Sequence, residues 1–482
     1  MPAAALGIDF GTTNTVVSAL GDDGAAHLAS FTFEDEETVA FRSALSFHPS
    51  PDDPSLRVVE AGPFAIEAYI EEPVETRFIQ SFKSYGASPL FQETRILGRR
   101  FTFEDLLSTF FIRMRAHAGQ AMAALPSRVI VGRPVTFAGL RPDPSLAMAR
   151  YQVAFGRLGF TDIRYAYEPV AAAFFFARQL DDDATVLVGD FGGGTSDFSV
   201  VRFHGRGRRM TSHPLANSGV GIAGDAFAYR IIDNLVSLEL GRGSSYKAFD
   251  NILPIPNRYF TAFARWEQLA LLRASRDMRD IRGLRRTALE TEKIAALVEM
   301  LDDNHGYRLY QAVSKVKETL SRQSEATFLF EAGSIRIEKP VKRAQFEGWI
   351  APELAAIGHA ADDALHRAGL KAAAIDRVFL TGGSSFVPAV RALFADRFGE
   401  RKLESGGELI SIASGLAYIS LEDNLDPWCV RPIRQSQCSS VGLSRSRRAI
   451  GMTSRLGRAV FSGERKALAS PTTMTLTAAG SR

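Results

Sequence analysis

Two short stretches of this chain repeat one chemical arrangement. Asp9-Phe10-Gly11-Thr12-Thr13-Asn14 and Asp190-Phe191-Gly192-Gly193-Gly194-Thr195-Ser196-Asp197 each set a carboxylate and an aromatic residue ahead of a Gly/Thr run. Gly and Thr leave main-chain N–H groups unobstructed, so such a turn can wrap a phosphate as a nest of donors, with the Thr hydroxyls adding more. The carboxylate ahead of the turn would repel phosphate directly. It suits instead a hydrated Mg²⁺ that bridges to phosphate oxygens. One such turn reads as an ordinary hairpin; two with matching Asp, Gly and Thr read as a pair of tips that pinch a polyphosphate. The single-loop alternative, G-x-x-x-x-G-K-[ST], is absent from the sequence.

The flanking residues indicate how these turns are held. Residues 5–17 (ALGIDFGTTNTVV) and 187–201 (LVGDFGGGTSDFSVV) both run strand, tight turn, strand, which predicts a β-hairpin in each half of the chain. Further strands are expected at 44–47, 127–131, 163–165 and 377–380, and a third hairpin over 326–338. Helices are expected near 103–123, 147–158, 170–180, from 224 past 240, through most of 258–322, and over 344–368 and 387–398. Strands mixed with helices in two similar halves argue for an α/β bilobed protein.

Composition sets the outer bounds. A chain of 482 residues with 46% hydrophobic and 23% charged residues is ordinary globular protein, too long for one core. Net charge is +3, but residues 430–482 hold ten Lys/Arg against Glu464 alone, leaving 47 Lys/Arg against 53 Asp/Glu elsewhere. The balance predicts neither nucleic acid nor membrane as a partner. The Ser/Gly/Thr-rich tail is expected to be disordered. Cys429 and Cys438 are the only cysteines and form no ligand pattern, consistent with a reducing compartment. Asp9 interrupts the first apolar stretch, so no leader is expected, and the run 170–177 is too short to span a bilayer. A cytoplasmic protein is the expectation.

With these residues in view, the chain resembles the DnaK-type heat shock protein 70 family. The first Asp-Phe-Gly block is similar to the family's first phosphate loop and the second block to its second. Glu168-Pro169-Val170-Ala171-Ala172-Ala173 resembles its connecting segment, and Leu380-Thr381-Gly382-Gly383-Ser384-Ser385 its adenosine loop. The resemblance runs over about residues 4–420. Gly132–Pro134, with the lack of a second half, looks like the YegD-type branch.

The resemblance implies an actin-like ATPase fold with two ribonuclease H-like lobes and a nucleotide cleft between them. The lobes would be residues 1–183 and 184–424, with a helical insertion near 225–322 and a tail over 425–482. It implies ATP or ADP with Mg²⁺ as cofactors. Asp9, Asp190 and Asp197 would hold the metal through water. Gly11, Thr12, Thr13, Asn14, Gly192, Gly193, Gly194 and Thr195 would cradle phosphates. Lys83 would neutralise the γ-phosphate and orient the attacking water, with Glu168, Asp190 and Thr195 completing the catalytic set. Gly224, Asp225, Lys317, Ser321, Gly382, Gly383 and Ser384 would line the nucleoside end. On pattern alone, Lys83 also reads as a solvated surface lysine and Glu168 as a helix N-terminal acid.

The base end departs from the family's pattern. Ser314 stands for a Glu, Glu318 for an Arg, and Phe386 for another Arg, although an aromatic ring can also stack on a purine. Gly219–Gly224 satisfies G-x-G-x-x-G, but a dinucleotide fold needs a parallel strand before it, and 212–218 reads poorly as one. After Leu421 no alternating strands follow, so no peptide-binding sandwich is expected. A chaperone-like ATPase with an unknown protein partner or client is the leading reading. A filament-forming actin relative and a small-molecule kinase of the same superfamily are the alternatives. The stretch 258–322, with Tyr259, Phe260, Phe263 and Trp266, reads either as a contact surface or as a buried helical subdomain.

Overall fold

The computed structural model describes residues 5–430, apart from 51–52, 54–55, 140, 206–210, 266–271 and 273–274. The tail expected to be disordered over 425–482 is ordered at its start, where Trp428 is buried and Cys429–Val430 pairs with strand Asp162–Tyr167; residues beyond Val430, Cys438 among them, and Trp266 lie outside the described residues.

Both Asp-Phe-Gly blocks form the expected hairpins. Strand Leu6–Phe10 pairs antiparallel with Asn14–Leu20, and Ala184–Phe191 with Ser196–His204. Each hairpin then recruits strands in the same order. In the first sheet, Ala26–Leu28 flanks the hairpin on one side, while Arg128–Arg133 and then Asp162–Tyr167 follow in parallel on the other. In the second, Thr211–Val220 flanks the hairpin, and Arg377–Thr381 and Leu403–Ser405 follow in parallel. Two sheets thus share one five-strand order with the same pattern of parallel and antiparallel pairings. The repeat read in the sequence is a repeat of structure.

Strand Thr211–Val220 was legible only in part. It lies at a sheet edge and carries Pro214, and the register slips at Val200/Val201. Proline is tolerated at an edge or bulge because no ladder donor is needed there. The strand is antiparallel to its neighbour, so Gly219–Gly224 is not the strand-to-helix turn of a dinucleotide fold.

Local chemistry sets the helix ends. Thr102 caps helix Phe103–His117 in a reciprocal box with Asp105, and Asp143 caps Pro144–Arg157 by accepting from the Leu146 N–H. Helix Glu168–Ala177 starts with an acid and Pro169, both favoured in a first turn. The helix predicted from 224 past 240 ends at Glu239 and contains a π-helical turn, Ile232–Val236, and the predicted 344–368 helix is two, Arg343–Trp349 and Ala351–Arg367, with Ile350 between them.

Three apolar clusters organise the chain. One fills the space between the first sheet and helices Phe103–His117 and Pro144–Arg157. A second joins the other sheet to the helices that follow it, and it takes in Tyr259, Phe260 and Phe263. Those three aromatics are core, which favours the buried-subdomain reading of 258–322 over a contact surface.

The third cluster combines residues of both sheets with helices Glu168–Ala177 and Ser411–Ile419. Each of these helices follows its own sheet's fifth strand or lies close behind it, yet packs across onto the other sheet. They cross very closely. A Cβ on Gly415 would stand 1.7 Å from the Ala171 carbonyl oxygen, and one on Gly7 would meet the Ala413 carbonyl at 2.5 Å. No helix among the described residues is long and apolar enough to cross a membrane.

Candidate functional site

The two hairpin tips close in the same way. The Gly11 N–H donates to the Asn14 carbonyl at 2.9 Å, and the Gly192 N–H to the Thr195 carbonyl at 3.0 Å. The N–H groups of Thr12, Thr13, Gly193 and Gly194 donate to no acceptor among the described residues. These are the donors a phosphate requires. The tips also face each other: a Cβ on Gly193 would lie 3.2 Å from Thr13 Oγ1 and 3.3 Å from Thr12 Cβ. Any side chain there would have to push the facing threonines aside.

Beneath the tips sits an acidic cluster with one cation. Lys83, in a short helix after strand Arg77–Gln80, donates from Nζ to Glu168 Oε1 at 2.7 Å, with both side chains buried. The solvated-lysine reading therefore fails, whereas the helix-terminal role of Glu168 coexists with the ion pair. Burial opposes the Lys83 ammonium, but the Glu168 charge, aided by Asp9, more than restores it, and its pKa is raised. Lys83 is a permanent cation at ordinary pH.

The carboxylates show the opposite imbalance. Burial first, then repulsion from Glu168, raises Asp9 to about 7 against a partial offset from Lys83. Burial and Glu168 likewise raise Asp197 to about 7, despite hydrogen bonds from the Thr195 side chain and the Thr136 N–H. Asp190 is raised well above the carboxylate range by burial and by Glu168, Asp9 and Asp197. Four clustered acids with one lysine form a site short of positive charge.

The donor set fits a hard divalent cation. It offers carboxylate oxygens only, as Mg²⁺ prefers, and Asp197 Oδ2 is buried without a hydrogen-bond partner.

The remaining predicted residues fall into two groups. Gly224 and Asp225 begin helix Gly224–Ile231 directly against the second tip, their N–H groups donating to the Gly192 and Gly193 carbonyls at 3.3 and 2.8 Å. Ser384 Oγ donates to the Gly192 carbonyl at 3.2 Å, and Lys317 Nζ reaches the Gly224 carbonyl at 3.4 Å. Burial lowers the Lys317 pKa, partly offset by Asp225. Gly382 has φ 84, and a Cβ there would meet the Phe191 carbonyl at 2.4 Å, whereas a Cβ on Gly383 would point into open space. These residues gather around the second tip.

Other predicted side chains are engaged elsewhere. Asn14 Oδ1 accepts from Arg42 at 3.2 Å, and Ser321 Oγ donates to the Lys317 carbonyl of its own helix at 3.0 Å. Glu318 pairs with Arg322 on the surface, and Phe386 is 58% exposed.

Sequence reasoning missed Thr136, Tyr151 and Tyr310. Thr136 follows the Gly-Arg-Pro segment and orients Asp197 through its N–H, at 3.0 Å, while its hydroxyl donates to the Gly219 carbonyl. Its position just after a strand that ends beside Glu168 was the available signal. Tyr310 hydrogen-bonds with Thr13 and Ser314 and lines a small pocket together with Thr12, Thr13 and Arg42. Tyr151, buried near Lys83, carried no signal at all.

Comparison with known proteins gives the chain distant relatives. The model of the family described as "Hsp70 protein" matches residues 285–417. The chain is 24% identical over 426 residues to the chaperone protein DnaK of Thermus thermophilus, covering 86% of this chain and 60% of that one. It is likewise 24% identical to DnaK of Deinococcus deserti (86% and 59%) and 22% identical to DnaK of Mycoplasmopsis pulmonis (85% and 57%). The chain spans about three fifths of the length of the curated relatives it matches. These matches relate the chain, distantly and over most of its length, to the Hsp70 family.

Proposed function

We propose that the chain is an ATP-binding module that hydrolyses ATP slowly with Mg²⁺, its two sheets forming two lobes around the nucleotide. One observation carries this reading: a buried Lys83–Glu168 ion pair lies among Asp9, Asp190 and Asp197, beneath two facing Gly/Thr tips with unspent N–H donors.

In this reading Asp9, Asp190 and Asp197 hold the cation through water, and Mg²⁺ supplies charge neutralisation of the phosphates. Thr12, Thr13, Gly193 and Gly194 bind phosphate oxygens through their N–H groups. Lys83 neutralises charge at the terminal phosphate and, through a hydrogen bond, fixes the attacking water. Glu168 holds Lys83 in place and accepts a hydrogen bond from that water. Positioning and charge compensation supply the rate, as is usual for phosphoryl transfer. Lys317, Ser384 and Gly382 line the nucleoside end. The departures at Ser314, Glu318 and Phe386 make adenine preference the weaker part of the recognition. A chaperone-like role with a protein partner follows from the relatives and belongs to the same proposal.

Single-turnover hydrolysis tests it. Wild type should convert ATP to ADP and phosphate only with Mg²⁺, and Lys83→Ala should slow the step by about 10²-fold or more. Equal rates in the two proteins, or no turnover in wild type, would overturn the hydrolytic reading.

A further inference from the structure

We propose a second cation site at the turn between helices Thr291–Asp302 and Gly306–Arg322, built from Glu299, Asp303 and His305 and suited to a borderline ion of the zinc class. One ligand atom from each residue lies within 4.8 Å of the other two. Glu299 lies on the last turn of the first helix, Asp303 caps its C-terminus, and His305 caps the start of the next. An imidazole beside two carboxylates differs from the oxygen-only donor set under the tips. Such a mixed set selects zinc, cobalt or nickel over magnesium.

One observation beyond the spacing of the cluster points to a ligand. The buried Nε2 of His305 has no hydrogen-bond partner among the described residues, although buried polar atoms are nearly always satisfied. The opposite wall of the site is Gly333, at the tip of hairpin 325–342. A Cβ there would stand 2.1 Å from Glu299 Oε1 and 3.2 Å from His305 Nε2. Both atoms therefore pack closely against the glycine, at φ 56, where any side chain would collide with them. Ser334 fixes the carboxylate, its N–H donating to Glu299 Oε1 at 2.6 Å and its hydroxyl to Oε2. Such outer hydrogen bonds orient metal-binding carboxylates. Three protein ligands leave a fourth position for water.

The site has structural reach. Asn304, between two of the ligands, accepts from the Tyr69 hydroxyl through its carbonyl and donates from Nδ2 to the Pro73 carbonyl at 3.3 Å. An ion that stiffens this turn also stiffens its contact with helix Pro63–Glu71 and the loop after it.

The experiment is a Co²⁺ titration of the full chain carrying Asp9→Asn and Asp190→Asn, which disables the oxygen site. Visible d–d absorption should report one bound ion per chain. Adding His305→Ala or Glu299→Gln should weaken binding by more than about tenfold with the circular dichroism unchanged. Without any change at the turn, Co²⁺ should broaden the imidazole resonance of His305 before those of the other histidines. No Co²⁺ uptake, uptake indifferent to both substitutions, or broadening that spares His305 would overturn the proposal. Because the oxygen site is already disabled, none of these results bears on ATP hydrolysis.

Discussion

Lys83 is the residue at which the site's charge balance is decided. It is the cation that compensates Glu168, Asp9 and Asp190, so removing it leaves buried acids unopposed. Lys83→Ala should therefore slow hydrolysis and also raise the Asp9 pKa above about 7, which carboxyl chemical shifts would report. The acids predict a pH dependence whose sign can be worked out. Asp9 and Asp197 sit at about 7 when folded, against about 4 for a free aspartate. The folded chain thus binds more protons than the unfolded one in this window, and these two groups favour folding less as pH rises from about 4 through 7. Cation binding must displace the same protons. Mg²⁺ affinity in the presence of ADP should rise from pH 5 and level off above 7; a flat profile in stepped titrations would contradict the assignment. The two tips and their acids were legible in the sequence because type and spacing both repeat. The partners of Asn14 and Ser321 were not legible, because a side chain's choice between ligand and neighbour depends on contacts distant in the chain, such as Arg42.

At the scale of elements, the hairpins, the helices around the first core and the hairpin at 325–342 follow from local pattern and capping. What the sequence did not disclose was the crossing of helices Glu168–Ala177 and Ser411–Ile419. Both are nearly uniformly buried, so neither shows a polar face that would orient it. Their contact depends on Gly415 having no side chain against the Ala171 carbonyl. Gly415→Ala should lower stability by about 3 kcal/mol, since overpacking cannot be relieved between two backbones. Gly383→Ala, where the added methyl meets nothing, is the control. Denaturant unfolding of the pair separates the two, and equal midpoints would contradict the packing argument. Strand Thr211–Val220 was only partly legible for a different reason: edge position and a bulge release it from alternation.

For the whole molecule, two sheets of one strand order carry facing tips, and a second contact joins their peripheries. Tyr69 donates to the Asn304 carbonyl and packs edge-to-face against Tyr307, as Phe78 also does. If the two sheets close on a nucleotide as proposed, this contact slows its escape. Tyr69→Phe keeps the ring and loses the hydrogen bond, so release of a fluorescent ADP should quicken by about fivefold, the worth of a typical bond. The central claim is that the paired tips and their acids bind a nucleotide through Mg²⁺. Calorimetric titration of ATP and ADP, with and without Mg²⁺, tests it most directly on wild type and on Gly193→Val, which fills the gap between the tips. The account predicts one site per chain, dependent on Mg²⁺ and lost in the variant. Binding without Mg²⁺, or binding that survives Gly193→Val unchanged, would contradict it.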